Sequence, residues 1–219
     1  NVIALSTLSG NHMPVFPRVL ELLEEADASD VLLVGGGIIP TKDAEELVAR
    51  GVARIFGPGT DTREVVAFLR DRAGHLTGVD VSENMVEIAH DKEVYDRLYV
   101  AEAVRFLQDI EDSAWDLIVA TDVLPYLGGV DDLFAGVAAR IVEGGLFVFS
   151  KEKMPDEQIY GRSFMVGPKQ RFAHSEGYIL TGLAEHGFDC LLMQPIVVRY
   201  DEGEPIQGHL VLAQRRQAG

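Results

Sequence analysis

Gly51-Val52-Ala53-Arg54-Ile55-Phe56-Gly57-Pro58-Gly59-Thr60 is the stretch on which the fold turns. Gly51 stands where a helix stop belongs, after a short amphipathic run over 41–50. Residues 52–56 then read as a strand that leaves a helix and ends in glycines. Downstream, Asp61 followed by Glu64 fits a capping box for a helix over 62–72. A strand held between two helices points to a parallel sheet, because parallel strands need a crossover connection.

The alternation continues in both directions. Upstream, Val31-Leu32-Leu33-Val34-Gly35 reads as a buried strand, and Val15, Phe16, Val19, Leu20, Leu22, Leu23 and Ala26 place a helix over 14–26. Residues 2–6 form the first apolar run. Downstream, strands at 75–80, 97–101, 116–121 and 145–150 interleave with helices. One helix covers 83–91 behind a Ser82 cap, one covers 103–109, and one carries the stripe Val130, Leu133, Phe134, Val137, Ala138 and Ile141. A long loop is expected over 151–174 and a helix over 175–186. Strands 188–199 and 208–215 are joined as a hairpin through Asp-Glu-Gly-Glu-Pro. The fold class is α/β, a three-layer hybrid with a mostly parallel sheet and a C-terminal antiparallel hairpin.

The bulk numbers remove some functions. The 219 residues are 47% apolar and carry a net charge of -16. That acidic surface repels phosphate backbones and anionic lipid, so neither nucleic acid nor membrane is an expected partner. No apolar run approaches a membrane span. The single cysteine, Cys190, can form no internal disulfide, and no signal peptide is seen, so a cytoplasmic location is expected. Asn1 leads straight into strand-like sequence without an initiator Met, so the sequence reads as trimmed from something longer.

The first chemical candidate is Asp80, in His75-Leu76-Thr77-Gly78-Val79-Asp80-Val81-Ser82. An acid at the carboxyl end of a strand, before a helix, can accept hydrogen bonds from both vicinal hydroxyls of a ribose. Equally, it can simply begin a turn. Three blocks then resemble class I S-adenosylmethionine methyltransferases in order and spacing. They are Gly78-Val79-Asp80-Val81-Ser82 with Asn84-Met85, Trp115-Asp116-Leu117-Ile118-Val119-Ala120-Thr121-Asp122-Val123-Leu124 with Tyr126-Leu127, and Gly144-Gly145-Leu146-Phe147-Val148-Phe149-Ser150. Arg171-Phe172-Ala173-His174-Ser175 and the hairpin ending Gly208-His209-Leu210 resemble the methyltransferases fused to tetratricopeptide repeats. The resemblance covers about 73–216.

The resemblance implies roles at matching positions. Asp80 would bind the ribose, Val81 and Val104 would sandwich the adenine, and Asp122 would line the cofactor and substrate side. Glu102 would meet the adenine amino group, or else serve as a solvated residue at a helix start. Tyr160, Arg171 and His174, in the loop over 151–174, are candidates for substrate contacts. Methyl transfer from a sulfonium asks the protein mainly for alignment, so no catalytic acid or base is assigned.

The family also needs a glycine-rich turn after its first strand, preceded by an acid. Gly57 and Gly59 are the candidates here, but Ile55 stands where the acid belongs and Pro58 has no N–H. Ser6-Thr7-Leu8, Val34-Gly35-Gly36-Gly37-Ile38-Ile39-Pro40 and the stretch 51–60 instead resemble the cobalamin-binding domain of methylmalonyl-CoA mutase, over residues 1 to about 65. That resemblance implies the last three strand–helix units of a flavodoxin-like fold, with Ser6, Leu8, Gly35 and Gly36 lining the slot for the nucleotide tail. In this context the glycines also read as plain strand-end turns. The family's Asp-x-His-x-x-Gly motif does not occur, and His12 is not part of one, so cobalamin is not an expected cofactor.

Two halves are therefore expected, a flavodoxin-like one over 1–72 and a Rossmann-like methyltransferase one over 73–219, in one continuous mixed sheet of up to nine strands. Such a seam within a domain suggests a designed chimera, with a natural recombinant as the alternative. The expected function is weak binding of S-adenosylmethionine or S-adenosylhomocysteine without turnover. An active small-molecule methyltransferase and a cobalamin-binding module are the alternatives. A homodimer through an exposed sheet edge or a segment swap is a further expectation.

Overall fold

The computed structural model describes residues 2–7, 12–25, 31–37, 39–57, 60, 64, 68, 74–111, 114–153, 161–167, 170–201 and 204–217. The helix expected over 62–72 lies largely outside them. The chain forms two compact units, Asn1–Phe106 and Leu107–Gly219. This division places the strands at 77–80 and 97–100 with the N-terminal unit.

The N-terminal unit begins with β1 (Val2–Thr7), α1 (His12–Glu25), β2 (Leu32–Gly37), α2 (Thr41–Ala49) and β3 (Arg54–Phe56). The strands form a parallel sheet in the order β1-β2-β3. The spacing of Val15, Phe16, Val19, Leu22 and Leu23 puts them on one face of α1, and all five are buried. β2 runs on through Gly35 and Gly36 rather than turning at them, and at Gly35 packing dictates the glycine. A Cβ on Gly35 would lie 2.5 Å from both the Ile55 Cδ1 and the Phe16 Cζ atoms.

The same unit holds β4 (Thr77–Asp80), α3 (Glu83–Asp91) and β5 (Arg97–Val100), with β4 and β5 paired in parallel. The helix α4 (Ala103–Asp109) follows. No residue of α3 is buried, and Met85 and Ile88 are each 51% exposed, so its apolar stripe lacks a full partner. Among the described residues no ladder joins β3 to β4. Among the described residues the strands form separate ladders. β3 has its hydrogen-bonding partner in β2 and keeps its flavodoxin-like neighbour.

The second unit contains β6 (Trp115–Ala120), a 3-10 turn (Leu124–Tyr126), α5 (Asp131–Arg140), β7 (Ile141–Glu152), β8 (Phe164–Val166), β9 (Phe172–His174), α6 (Glu176–Glu185), β10 (Phe188–Asp201) and β11 (Glu204–Arg215). Four strands pair in the order β10-β11-β7-β6, with β6 and β7 parallel and the others antiparallel. β8 and β9 form an antiparallel hairpin inside the stretch expected to be loop. Its strands are only three residues each, too short for a periodic signal. The core is aromatic. Phe134 meets Phe147 edge-on at 5.9 Å and Phe149 at 5.6 Å, and Phe188 lies 6.1 Å from Phe147.

Candidate functional site

At the carboxyl end of β4, the Asp80 carboxylate Oδ1 accepts a hydrogen bond from the Ser82 N–H at 2.8 Å. Ser82 then caps α3, its hydroxyl accepting from the Met85 N–H at 3.4 Å. The parallel register sets Asp80 opposite Val100, and the Ala101 N–H donates to the Asp80 carbonyl at 3.0 Å. This carries the chain directly to Glu102. The ladder thus brings Asp80, Val81, Glu102 and Val104 together at the ends of two adjacent strands, where parallel α/β sheets bind ligands.

The two acids differ in what they have left to give. The second oxygen of Asp80 accepts no hydrogen bond from the described residues, so it can receive a hydroxyl. Glu102 accepts from the Val104 N–H at 3.0 Å with one oxygen and from the Arg105 N–H at 2.9 Å with the other. It caps α4, as the helix-start alternative held, and its remaining lone pairs point to any further donor. Val81 is 74% exposed beside Asp80, and Val104 is half-buried.

Gly57 ends β3 in a turn closed by the Thr60 N–H and hydroxyl, which donate to its carbonyl at 3.2 and 2.9 Å. A Cβ on Gly57 would meet nothing within 4 Å, so packing does not require the glycine. Gly59, Leu8 and Tyr160 lie outside the described residues. Ser6 pairs in register with Gly36. His12 opens α1, is buried, and bonds through Nε2 to the Asp43 carboxylate at 2.9 Å, a tie between α1 and α2.

Asp122 belongs to the second unit. It adopts φ 58°, a left-handed conformation that aspartate tolerates, and its N–H donates to the Ser150 hydroxyl at 2.8 Å. Its Oδ1 receives Arg171 Nη1 at 3.4 Å and Arg199 Nη1 at 3.2 Å. Glu152 pairs with Arg199 and lies 4.0 Å from Arg171. The Arg171 guanidinium sits 4.8 Å above the Tyr126 ring. Arg199 and Glu152 were missed from sequence. Glu152 could have been found from the strand period, which puts it on the Ser150 side of β7.

His174 is structural in this arrangement. It is 1% exposed, bonds through Nε2 to the Gly128 carbonyl at 2.8 Å, and stacks on Tyr178. Its own carbonyl accepts from the buried Lys151 ammonium at 3.0 Å. Burial, then the nearby Lys151 charge, hold its imidazole below the ordinary histidine range against two backbone hydrogen bonds. His209, opposite Lys151 in the β11–β7 ladder, is lowered by the same two causes in the same order. The Tyr178 hydroxyl donates to Asp131 at 2.6 Å and accepts from the Val130 N–H at 3.1 Å. Burial, then that bond to Asp131, raise its pKa.

A cavity of about 300 Å³ lies between α3 and the β4–β5 ladder, lined mainly by apolar residues such as Val79, Val86 and Leu98. It shares only Asp80 with the strand-end cluster and reflects the loose packing of α3. Among the described residues no group of three acids, histidines or cysteines could hold a metal, and no helix is long and apolar enough to cross a membrane.

Comparison with known families fits the two kinds of strand-end geometry. Residues 1–67 match the B12 binding domain model, and residues 57–147 match a methyltransferase domain model. Residues 1–67 are thus similar to a B12 binding domain and residues 57–147 to a methyltransferase domain. The B12-binding segment is 36% identical over 70 residues to methylmalonyl-CoA mutase of Rhizobium meliloti (strain 1021), covering 32% of this chain and 10% of that protein. The chain thus spans a small fraction of the curated relatives that it matches. The chain also resembles solved structures in fold. A SAM-dependent methyltransferase from Methanosarcina mazei aligns with a TM-score of 0.50 at 12% identity, over 98% of this chain and 92% of that one. YcgJ from Bacillus subtilis aligns at 0.52 with 14% identity, over 73% and 90%. The fold is thereby the mixed α/β, Rossmann-like one of those solved structures.

Proposed function

We propose that the methyltransferase segment holds S-adenosylmethionine or S-adenosylhomocysteine weakly, and that the chain is a designed chimera without turnover. The observation that carries this is the strand-end pair, Asp80 with an oxygen still open to a hydroxyl and Glu102 one strand away. Asp80 would hold the ribose hydroxyls, Val81 and Val104 the adenine faces, and Glu102 the adenine amino group. Asp122 would line the cofactor and acceptor side. Gly57 and Gly59 would serve as the turn at the methionine end. A bound sulfonium supplies its own leaving group, so these residues bind and orient.

The absence of turnover rests on the residues around Gly57, which ends the strand paired with β2. A glycine turn without the preceding acid, where Ile55 stands, and with Pro58 lacking an N–H would orient the donor poorly, and misplacement by about 1 Å can cost roughly a hundredfold in rate. Cobalamin is left out, because no histidine in the chain has Asp two residues before it and Gly three after it. A homodimer through a sheet edge and a cytoplasmic location belong to the same proposal. β6 is paired only with β7 among the described residues, and the lone Cys190 suits a reducing compartment. A monomer mass by light scattering would remove the dimer. Incubation with labelled S-adenosylmethionine and a panel of small acceptors tests turnover. No S-adenosylhomocysteine should accumulate above the protein-free rate, and steady accumulation would overturn the inactive reading.

A further inference from the structure

We propose that the charged quartet of the second unit is a binding site for a small planar carboxylate. Asp122 is shared with the proposed cofactor function, whereas Glu152, Arg171 and Arg199 are not. Asp122 and Glu152 stand at the carboxyl ends of β6 and β7, Arg171 comes from the approach to β9, and Arg199 from β10. Both guanidiniums bring Nη1 to Asp122 Oδ1, at 3.4 and 3.2 Å, and both face Glu152.

The four side chains are unequal. Glu152 is 14% exposed and Arg199 19%, so that pair is the fixed floor. Asp122 is 46% exposed and Arg171 25%. Arg171 spends only Nη1 on the acids. Its Nε and Nη2 groups donate to no described residue. A guanidinium presents its N–H groups in a planar fork that matches a carboxylate, so Arg171 retains an edge that can take one bidentately. An incoming carboxylate would meet Asp122 at 3.4 Å and Glu152 at 4.0 Å from Nη1, both on the Nη1 side of the fork.

Tyr126 sets the shape. One face of its ring is covered by Arg171 at 4.8 Å, yet the residue is 62% exposed. A planar group bonded to the guanidinium edge would lie beside that ring, so a flat unsaturated or aromatic acid fits better than a branched aliphatic one. The two arginines are matched by the two acids, so the recognition rests on the open edge of the Arg171 guanidinium rather than on a net positive field.

Benzoate is the probe and benzamide its neutral isostere, with binding read by saturation-transfer NMR on the whole chain. Benzoate should receive transfer and benzamide should receive roughly tenfold less. Arg171→Gln should weaken benzoate roughly tenfold or more, as expected for one charged hydrogen-bonded contact, with Arg171→Lys recovering only part of it. The fluorescence of Trp115 checks that each variant is folded. Equal binding of benzoate and benzamide, or silence from benzoate at tens of millimolar (roughly 2–3 kcal/mol of binding or less), would overturn the site. If Arg171→Gln does not fold, the comparison of the two probes on the unaltered chain still decides. Calorimetry with S-adenosylhomocysteine on the same sample reads the cofactor cluster separately. Silence from benzoate with that heat retained refutes the anion site alone.

Discussion

Phe134→Ala should destabilise the second unit by about 3–5 kcal/mol, as for other fully buried aromatic truncations. Phe134 is fully buried in α5 and touches three rings, Phe147, Phe149 and His186. It also presses on α6, since a Cβ on Gly182 would lie 3.2 Å from its ring. The cavity left behind would be walled by a helix already at its closest approach and by a sheet held by ladders on both sides of β7, so little relaxation can fill it. With a urea slope of about 2 kcal/mol per molar, the unfolding midpoint falls by roughly 2 M. The assay is built into the sequence. Trp115 is the only tryptophan and begins β6, so its fluorescence follows the second unit. A loss below about 1 kcal/mol would refute the reasoning, because it would mean that Phe134 is not the hub of that core.

Gly35→Ala should destabilise the first unit by about 1–3 kcal/mol, from clash with Phe16 and Ile55. Far-UV circular dichroism would report it, and the Trp115 transition should stay where it is if the two compact units unfold separately. Stability should also fall on the acid side. His174 and His209 have folded pKa values below the ordinary value of about 6.5, so the unfolded chain binds more protons between the two values. Their contribution is complete above about pH 6.5 and is lost as pH falls through the lowered values; a urea midpoint flat from about pH 7 to 5 would count against it. Glu102→Ala removes the two cap bonds at α4 and should cost about 1 kcal/mol, measured by thermal melting.

Much of the fold was legible because its elements announce themselves locally. Ser82 and the 83–91 helix, the 103–109 helix and the C-terminal hairpin all follow from caps, periodicity and turn residues. Asp80 and Glu102 were legible as strand-end acids, and their proximity follows from parallel pairing. Three things were not legible. The β8–β9 hairpin is too short to show a period. Gly35 looked like a turn because a strand glycine demanded by a neighbouring ring leaves no local mark. Arg199 lies 77 residues from Asp122, and only the tertiary fold could bring them together. The strand order across the seam is decided by competition. β3 can satisfy its backbone with β2, and nothing in its own residues favours another neighbour.

Calorimetric titration of S-adenosylhomocysteine into the unaltered chain and into Asp80→Ala tests the central claim most directly. The account predicts measurable heat from the unaltered chain and binding weakened roughly tenfold or more by the substitution, the loss expected when charged hydrogen bonds to a ribose are removed. Equal affinity for the two proteins, or no heat from an unaltered chain that still melts cooperatively, would contradict it.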